Sequence, residues 1–440
     1  MTTPSELIAL IDGERAGVLS RDRGRLTFTY DNGYSTDPTA TPLSVSLPLI
    51  NQRHSSAKVN AFVSGLLPDS DAVRARWAAE FQTRDTPFDL LCHVGEDCAG
   101  GVQFVRPDRI DAISEGGVEW LTDSQIGDWV RDLRRDPSGW LRDGEFGQFS
   151  LAGAQSKFAL CNVDGRWGRP FGSVPTTHIV KPASTHFAQH ELNEHLSLEL
   201  ARRVGLGAAR SEVVSFDGEQ VVVVERFDRF DTGAGLRRVH QEDLCQAAGC
   251  SPEMKYENQG GPSVIDIAAL IRRHSTEAED DLQAFVDAVV FNWVIANTDA
   301  HAKNYGFLLA SDQCRLAPLY DLASALPYVS QRPVARDPGE LDGSRLNMAM
   351  SLFGTYRMSD VRVRDWLALF SELGMDPDDQ LGRAIDLSSR VAKNVDALRR
   401  SDVAAIGEPM VDRYVSSVFR RANLCSGLLL GRLDPRGHRP

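Results

Sequence analysis

Leu282-Gln-Ala-Phe-Val-Asp-Ala-Val-Val-Phe-Asn-Trp-Val-Ile-Ala-Asn-Thr-Asp-Ala-His-Ala-Lys-Asn304 is the stretch whose reading organises the rest of the chain. Leu282, Phe285, Val286, Val289, Val290, Trp293 and Val294 recur at i, i+3, i+4, i+7, i+8, i+11 and i+12, which predicts a helix over about 280–297. Acidic residues precede it, where they complement the positive end of the helix dipole. So long an apolar stripe belongs in a core. It delivers Asn297, Asp299, His301, Lys303 and Asn304 into a short polar loop, and Tyr320-Asp321 follows within Leu316-Ala-Pro-Leu-Tyr-Asp-Leu-Ala-Ser324.

Phosphoryl transfer calls for groups of this kind: one carboxylate to accept a hydroxyl proton, and an amide oxygen plus a second carboxylate to hold Mg²⁺. Asp299 and Asn304 are spaced i, i+5, the interval of a protein-kinase catalytic loop, and Asp321 then takes the metal-binding position. Alone, Asp299 and Asn304 are also what a helix cap and a turn require. The upstream half decides between the two. A Gly-containing loop, Ser150-Leu-Ala-Gly-Ala-Gln-Ser-Lys157, lies between predicted strands, and Lys181 ends a further strand at Pro182. A helix over 188–204 follows, with Leu192, Leu196, Leu200 and Val204 on one arc and Gly205 as its stop. The Val221–Val224 strand then runs into Glu225-Arg-Phe-Asp-Arg229. A phosphate loop, a strand lysine, a helix and a connecting segment thus occur in the order that kinase chemistry uses.

Further outward, residues 1–106 read as a mixed β/α domain, with short strands separated by the hairpin dipeptides Asp12-Gly13 and Asn32-Gly33 and helices near Val59–Leu66 and Ala72–Phe81. Pro107 to Gly117 is the predicted boundary. Residues 107–228 read as a sheet plus helix: Ser156–Val163, Arg166–Phe171 and His178–Lys181 as a three-stranded meander, then a hairpin around Asp217-Gly218. Four consecutive valines in that hairpin predict a strand buried on both faces. Residues 229–440 read as helical. Residues 330–344 are expected to be a mobile loop and 434–440 a disordered tail. The fold class expected is α+β, a two-lobed protein-kinase-like arrangement with a β-rich N-terminal domain and an all-helical C-terminal lobe.

Composition narrows the function classes. Forty-eight Lys and Arg against 61 Asp and Glu leave a formal charge of −13, so the surface as a whole should repel nucleic acid and anionic membrane, and any DNA role needs a local patch or a basic partner. No run approaches the roughly 20 apolar residues of a membrane helix, and no signal-like start is present, which predicts a cytoplasmic protein. Seven cysteines without a C-x-x-C pair fit reduced, buried thiols rather than a disulfide framework or a zinc site. His190-Glu-Leu-Asn-Glu-His195 fails as a zincin because its histidines are five apart and so about 140° around a helix. There is no Walker A motif and no Gly-x-Ser-x-Gly elbow.

At these residues the chain resembles the HipA-type serine/threonine kinase toxins of bacterial toxin–antitoxin pairs. The resemblance rests on Phe62-Val-Ser-Gly-Leu-Leu-Pro68, Gly95-Glu-Asp-Cys-Ala-Gly-Gly101, Ser150–Lys157, His178-Ile-Val-Lys-Pro182, Asn193-Glu194 and Val224-Glu-Arg-Phe-Asp-Arg229. It continues through Asn297–Asn304, Pro318-Leu-Tyr-Asp-Leu-Ala323 and Leu346-Asn-Met-Ala-Met-Ser351. It implies a HipA N-terminal-like domain over 1–106, ATP and Mg²⁺ as cofactors, Asp299 as catalytic base, Asn304 and Asp321 as Mg²⁺ ligands, and Lys181 on the nucleotide phosphates. It further implies that Ala152, Gly153, Ala154, Gln155, Ser156 and Lys157 form the nucleotide loop, that the Glu225, Arg226 and Phe227 backbone takes the adenine, that His301 and Lys303 line the phosphate site, and that Ala302 and Tyr320 also contribute to cofactor binding. Ser150 matches a serine that autophosphorylates in this family, ejecting the loop and switching the kinase off. The implied partners are a protein serine or threonine substrate, in some relatives an aminoacyl-tRNA synthetase, and a small HipB-like helix-turn-helix antitoxin, with DNA reached only through that antitoxin.

Two features depart from ordinary kinases: Leu322-Ala323 replaces Phe-Gly after the metal-binding Asp321, and Lys303 lies four residues after Asp299. The acid that pairs with Lys181 is Glu194 by preference, with Glu199 as the alternative. Two other functions fit these residues less well. A catalytically silent corepressor bridging a DNA-bound antitoxin should have lost Asp299, Asn304, Asp321 or Lys181, and all four are present. A small-molecule phosphotransferase shares the Asp-x-x-x-x-Asn spacing but not the β-rich first domain or the Ser150 loop.

Overall fold

A computed structural model describes residues 4–55, 57–141, 149–183, 187–233, 235–330, 339–400 and 407–433. The chain opens with β1 (Glu6–Ile11), β2 (Glu14–Asp22) and β3 (Arg25–Tyr30), then α1 (Asn32–Ser35), β4 (Arg53–Ser55), α2 (Ala57–Gly65), α3 (Asp71–Glu80), α4 (Pro87–Val94) and β5 (Val102–Val105). The strands form one antiparallel sheet in the order β4-β3-β2-β1-β5. Asp12 and Gly13, at φ 50° and 83°, make the β1–β2 turn as the dipeptide predicts. Asn32-Gly33 does not make a hairpin. It begins α1, and the β2–β3 turn is built by Arg23 and Gly24, at φ 47° and 81°. The Gly meets the left-handed requirement, and arginine tolerates it on an exposed turn.

The second region adds β6 (Gly117–Trp120), α5 (Asp123–Arg135), β7 (Phe158–Val163), β8 (Arg166–Phe171), β9 (His178–Pro182), α6 (His190–Arg203), β10 (Ser211–Phe216) and β11 (Glu219–Glu225). Its six strands run β10-β11-β9-β7-β8-β6, so β7 lies between β8 and β9 and the expected simple meander is not formed. Burial explains the order. Phe158 to Cys161 of β7 are all buried and need cover on both flanks, whereas β8 is half-exposed and pairs outward with β6. The valine strand behaves as predicted: Val221 and Val223 enter the core shared with the N-terminal domain, while Val222 and Val224 enter the core of the C-terminal lobe. Each buried valine side chain contributes about 1.5–3 kcal/mol of transfer free energy, so this one strand fastens both halves.

The third region is helical in bulk: α7 (Leu244–Ala248), α8 (Val264–His274), α9 (Ala278–Val294), α10 (Val363–Glu372), α11 (Pro377–Asn394) and α12 (Glu408–Leu429). Small antiparallel elements are set among the helices: β12 (Arg229–Asp231) with β13 (Leu236–Arg238), β14 (His240–Asp243) with β15 (Gly306–Ala310) and β16 (Gln313–Leu316), and β17 (Asn347–Leu352) with β18 (Thr355–Arg357). The expected core helix is α9, with Glu279, Asp280 and Asp281 in its first turn and Phe285, Phe291, Trp293 and Val294 buried. Positions 331–338 of the predicted loop, and the 434–440 tail, lie outside the described residues; Leu341 bridges to Val329. Among the described residues no helix is long and apolar enough to cross a membrane.

Candidate active site

The cleft between the six-stranded sheet and the helical lobe encloses 590 Å³. On its sheet side stands Lys181, at the end of β9. Its Nζ donates to Glu194 Oε1 at 2.6 Å and to Asp321 Oδ1 at 3.0 Å, so strand, helix and C-terminal lobe meet at one ammonium. Glu199, the alternative acid, pairs instead with Arg202 and Arg203 on its own helix. Burial works against the Lys181 charge, but Asp321 and Glu194 outweigh it and push the ammonium's pKa up. Lys181 in turn holds the Asp321 carboxyl well below the usual carboxylate range.

The neighbouring Asn193 fixes the Asp321 loop. Its Nδ2 donates to Ser324 O at 2.7 Å, and its Oδ1 accepts from Ser324 N at 2.9 Å. Asp321 itself sits at φ 56°, a left-handed conformation unusual outside glycine, and such strain concentrates at functional sites.

The helical side is built by the end of α9. Ala296, at φ 54°, ends the helix, and Asn297 spans the turn by donating to Asn292 Oδ1 at 3.0 Å while accepting from Asp299 N at 3.0 Å. Asn304 Nδ2 donates to the Asp299 carbonyl at 2.7 Å, which commits its donor to the loop and leaves its amide oxygen as the donor atom for a cation. The Asp299 side chain is 61% exposed. The Asp321 carboxylate and the Asn304 amide oxygen are hard oxygen ligands, of the kind that Mg²⁺ takes together with substrate phosphates and water. Among the described residues no group of three or more His, Cys, Asp or Glu is placed to hold a metal ion. Glu194 Oε2 and His301 Nδ1 are buried without a hydrogen-bond partner among the described residues, so the cleft retains unused polar capacity.

Of the residues expected to bind nucleotide, Ala152, Gly153, Ala154, Gln155, Lys157, Lys181, Glu225, Arg226, Phe227, His301, Lys303, Asn304, Tyr320 and Asp321 line this one cleft, with Asp299. Ser156 and Ala302 are not part of the lining. The Ser156 hydroxyl turns to Pro137 O at 2.8 Å, and Ala302 is buried in the lobe's core. Arg226 contributes backbone only: its guanidinium pairs with Asp228 and its N–H donates to Thr177 O at 2.9 Å. Phe227 leans against Tyr320 with ring centroids 5.6 Å apart. Lys157 Nζ donates to Ala152 O at 2.5 Å, closing the loop around Gly153 at φ 104°, where a Cβ would meet that Nζ at 2.6 Å. Ser150 is fully buried, its hydroxyl donating to Leu66 O at 2.7 Å and its N–H to Asp97 O at 2.8 Å.

The sequence reading missed Asp69, Lys255, Tyr256 and Asp243. Asp69 joins the N-terminal domain to both sides of the cleft: its N–H donates to Gly153 O at 3.0 Å, and its carboxylate takes Lys303 at 2.6 Å and Lys255 at 2.9 Å. Burial raises its pKa, but Lys303 and Lys255 together draw it down to about 2. A lone aspartate after Pro68 carries no local signal of this. Only its place directly behind the Phe62–Pro68 motif hinted at it.

A family model described as the HipA-like C-terminal domain matches residues 149–400, and one described as the HipA N-terminal domain matches residues 7–105. The chain is 33% identical over 419 residues to a Sinorhizobium fredii protein named as a kinase, Y4mE, covering 94% of this chain and 96% of that protein. It is 28% identical over 335 residues to the serine/threonine-protein kinase toxin HipA of Shewanella oneidensis, covering 71% of this chain and 73% of that one. The structure superimposes on that organism's HipA, solved with HipB and operator DNA, at a TM-score of 0.79 and 22% identity, covering 96% of this chain and 98% of the other, which shows a shared fold. With both domain models matched and the cleft residues gathered in one place, the chain belongs to the HipA family of kinase toxins.

Proposed function

We propose that this protein is an ATP- and Mg²⁺-dependent serine/threonine protein kinase that arrests growth as the toxin of a bacterial toxin–antitoxin pair. The observation that carries the reading is the single cleft in which Lys181 bridges Glu194 and Asp321 opposite the exposed Asp299 carboxylate. Lys181 and Lys157 hold the phosphates of ATP, while Asn304 and Asp321 hold Mg²⁺. The cation, when bound, neutralises phosphate charge as it develops. Asp299 accepts the proton of the attacking serine or threonine hydroxyl. Glu225 and Phe227 offer backbone groups to the adenine, and His301 and Lys303 border the phosphates.

The Ser150 site supports self-inactivation. A phosphoserine adds nearly two negative charges and three acceptor oxygens, and neither fits where the hydroxyl now donates to a buried carbonyl. Phosphorylation at Ser150 therefore expels the loop that carries Ala152–Lys157 and dismantles the nucleotide site. By analogy with the HipA–HipB–DNA complex, the partner is a small helix-turn-helix antitoxin, and DNA is met through it in the cytoplasm.

The test is to incubate the purified chain with labelled ATP and Mg²⁺ and map phosphate by mass spectrometry. Wild type is expected to label itself at Ser150, and Asp299→Gln to lose transfer by about 10²–10⁴-fold. Retained transfer in Asp299→Gln removes Asp299 from the mechanism, and phosphate found elsewhere but never at Ser150 ends the self-inactivation reading.

A further inference from the structure

One oxygen of the exposed Asp299 carboxylate, Oδ1, is already occupied. Tyr256 donates its hydroxyl to Asp299 Oδ1 at 2.5 Å, a short contact of the kind that a hydroxyl makes to an ionised carboxylate. Nothing in the proposed chemistry uses this tyrosine, yet it holds one of the two oxygens to which an acceptor hydroxyl can give its proton. Burial, and after it the Asp299 carboxylate, push the phenol's pKa up, so the group present is a neutral O–H donor.

Its position does not depend on Asp299. The preceding Lys255 is tied to Asp69 of the N-terminal domain at 2.9 Å. The following Glu257 accepts from Ser351 N at 2.5 Å and Ser351 Oγ at 2.9 Å on β17. Gly261 donates its N–H to Tyr256 O at 3.0 Å, and it must be glycine, because a Cβ there would lie 2.0 Å from Met254 O. The His301 ring meets the tyrosine edge to face at 4.9 Å. Four separate anchors thus hold one hydroxyl against the reactive carboxylate.

We infer that Tyr256 is a positioning residue that stands in the place of the acceptor hydroxyl, so that Asp299 cannot serve water until a protein serine or threonine displaces the phenol. The inference rests on the kinase reading. Without such a placeholder, water attacks the γ-phosphorus, the bond from that phosphorus to the β,γ-bridging oxygen breaks, ADP leaves with the electron pair, and Asp299 takes the water's proton, yielding ADP and inorganic phosphate. With it, the same bond changes await a hydroxyl that can compete for the carboxylate, and the product is phosphoprotein.

The test uses the full chain in the Ser150→Ala background, so that self-modification does not end the reaction, and counts inorganic phosphate released from Mg-ATP with no protein acceptor added. Tyr256→Phe, which removes one oxygen, is expected to raise the hydrolysis kcat at least fivefold with an unchanged KM for ATP. Adding Asp299→Asn to that variant is expected to abolish the rise. A merely structural tyrosine lowers the rate or raises KM when altered, and either result overturns the inference, as does phosphate found on Tyr256 itself. If labelled ATP shows phosphotransfer by the otherwise unaltered chain while Tyr256→Phe leaves hydrolysis unchanged, the inference fails and the kinase reading stands. If the unaltered chain neither transfers nor hydrolyses, the kinase reading fails first.

Discussion

Two clusters of buried charge meet at the segment Glu225–Arg229, and they are built on opposite plans. In the first, Arg226 donates to Asp228, to Thr176 Oγ at 2.8 Å and to Cys98 O at 2.9 Å, while Arg229 donates to Asp97, to Gly100 O at 2.8 Å and to Thr176 O at 3.2 Å. Asp228 accepts from Gly100 N at 2.7 Å besides both arginines. The two guanidinium groups and the Asp228 carboxylate are 2% exposed and fully engaged, stapling the N-terminal domain to the connecting segment. In the second, Lys181, Glu194, Asp321 and His301 share a cleft, and Glu194 Oε2 and His301 Nδ1 have no protein partner among the described residues. The first network matches its central charges and holds a structure together, though Arg238 beside Asp97 leaves Nε and Nη2 without a hydrogen-bond partner among the described residues, while a network left open toward a cavity is available to a ligand.

Breaking each network should therefore fail differently. Asp228→Ala leaves two arginines buried without their shared carboxylate and is expected to destabilise the chain by about 3–5 kcal/mol, read from the urea midpoint. A loss under 1 kcal/mol would show that the staple is slack. Asp321→Asn is expected to cut phosphate transfer by about 10²–10³-fold while shifting the urea midpoint less than Asp228→Ala does, because Lys181 keeps Glu194 as a counter-charge. Asparagine tolerates the left-handed backbone at that position, so the comparison isolates the charge. A large stability loss there would place Asp321 in the first class of network.

Local chemistry explains what could be read from the sequence. The Asp-Gly turns, the doubly buried valines of β11 and the stripe of α9 each depend on residues a few positions apart. Lys181 ends β9, Asp299 and Asn304 follow the end of α9, Glu194 lies in the second turn of α6 and Asp321 in the loop after β16, and all five reach one cleft. What escaped is tertiary. Asp69 and Lys303 are 234 positions apart, and Tyr256 and Asp299 are 43, with no periodicity to announce either pair. Arg226 misleads for the opposite reason: it sits inside a kinase-like connecting segment, yet its side chain belongs to the staple. The β8-β7-β9 order was hidden because adjacent strands separated by an Asp-Gly turn do pair, as β7 and β8 do, while the other edge of β7 is claimed by a strand that arrives later.

Glu242 tests the boundary between the two plans, since it lines the cleft yet belongs to a seam. One oxygen accepts from Val45 N of the N-terminal domain at 2.8 Å, while the other is buried without a partner among the described residues. Burial pushes its carboxyl up to about 8 from 4.5. Between those values the folded chain holds a proton that the unfolded chain has released, so stability falls as pH rises across that window. Glu242→Gln keeps an oxygen acceptor for Val45 and does not titrate. Its stability is expected to match wild type near pH 5 and to exceed it by on the order of 3 kcal/mol at pH 8, measured by urea unfolding at both. Parallel wild-type and variant profiles would mean that the half-satisfied carboxyl is already solvated.

Lys157 gives the smallest effect and the finest test of openness. It is buried, and burial first, then repulsion from Lys181, draws its ammonium down to about 8. A staple lysine would be matched by a carboxylate, but Lys157 donates to a neutral carbonyl, that of Ala152. On the kinase reading, its compensating charge arrives with the nucleotide. The cationic form is the one that binds phosphate, and it falls from about nine-tenths of the population at pH 7 to about one-tenth at pH 9, so affinity for ATP should weaken by about tenfold across that interval. Lys157→Arg, whose guanidinium stays charged throughout, should flatten the profile. Calorimetric titration with ATP at both pH values, in two buffers of different ionisation enthalpy, also counts the proton taken up on binding at pH 9. A flat wild-type profile with no proton uptake would put the phosphates out of reach of Lys157 and leave Lys181 as the lysine that meets them.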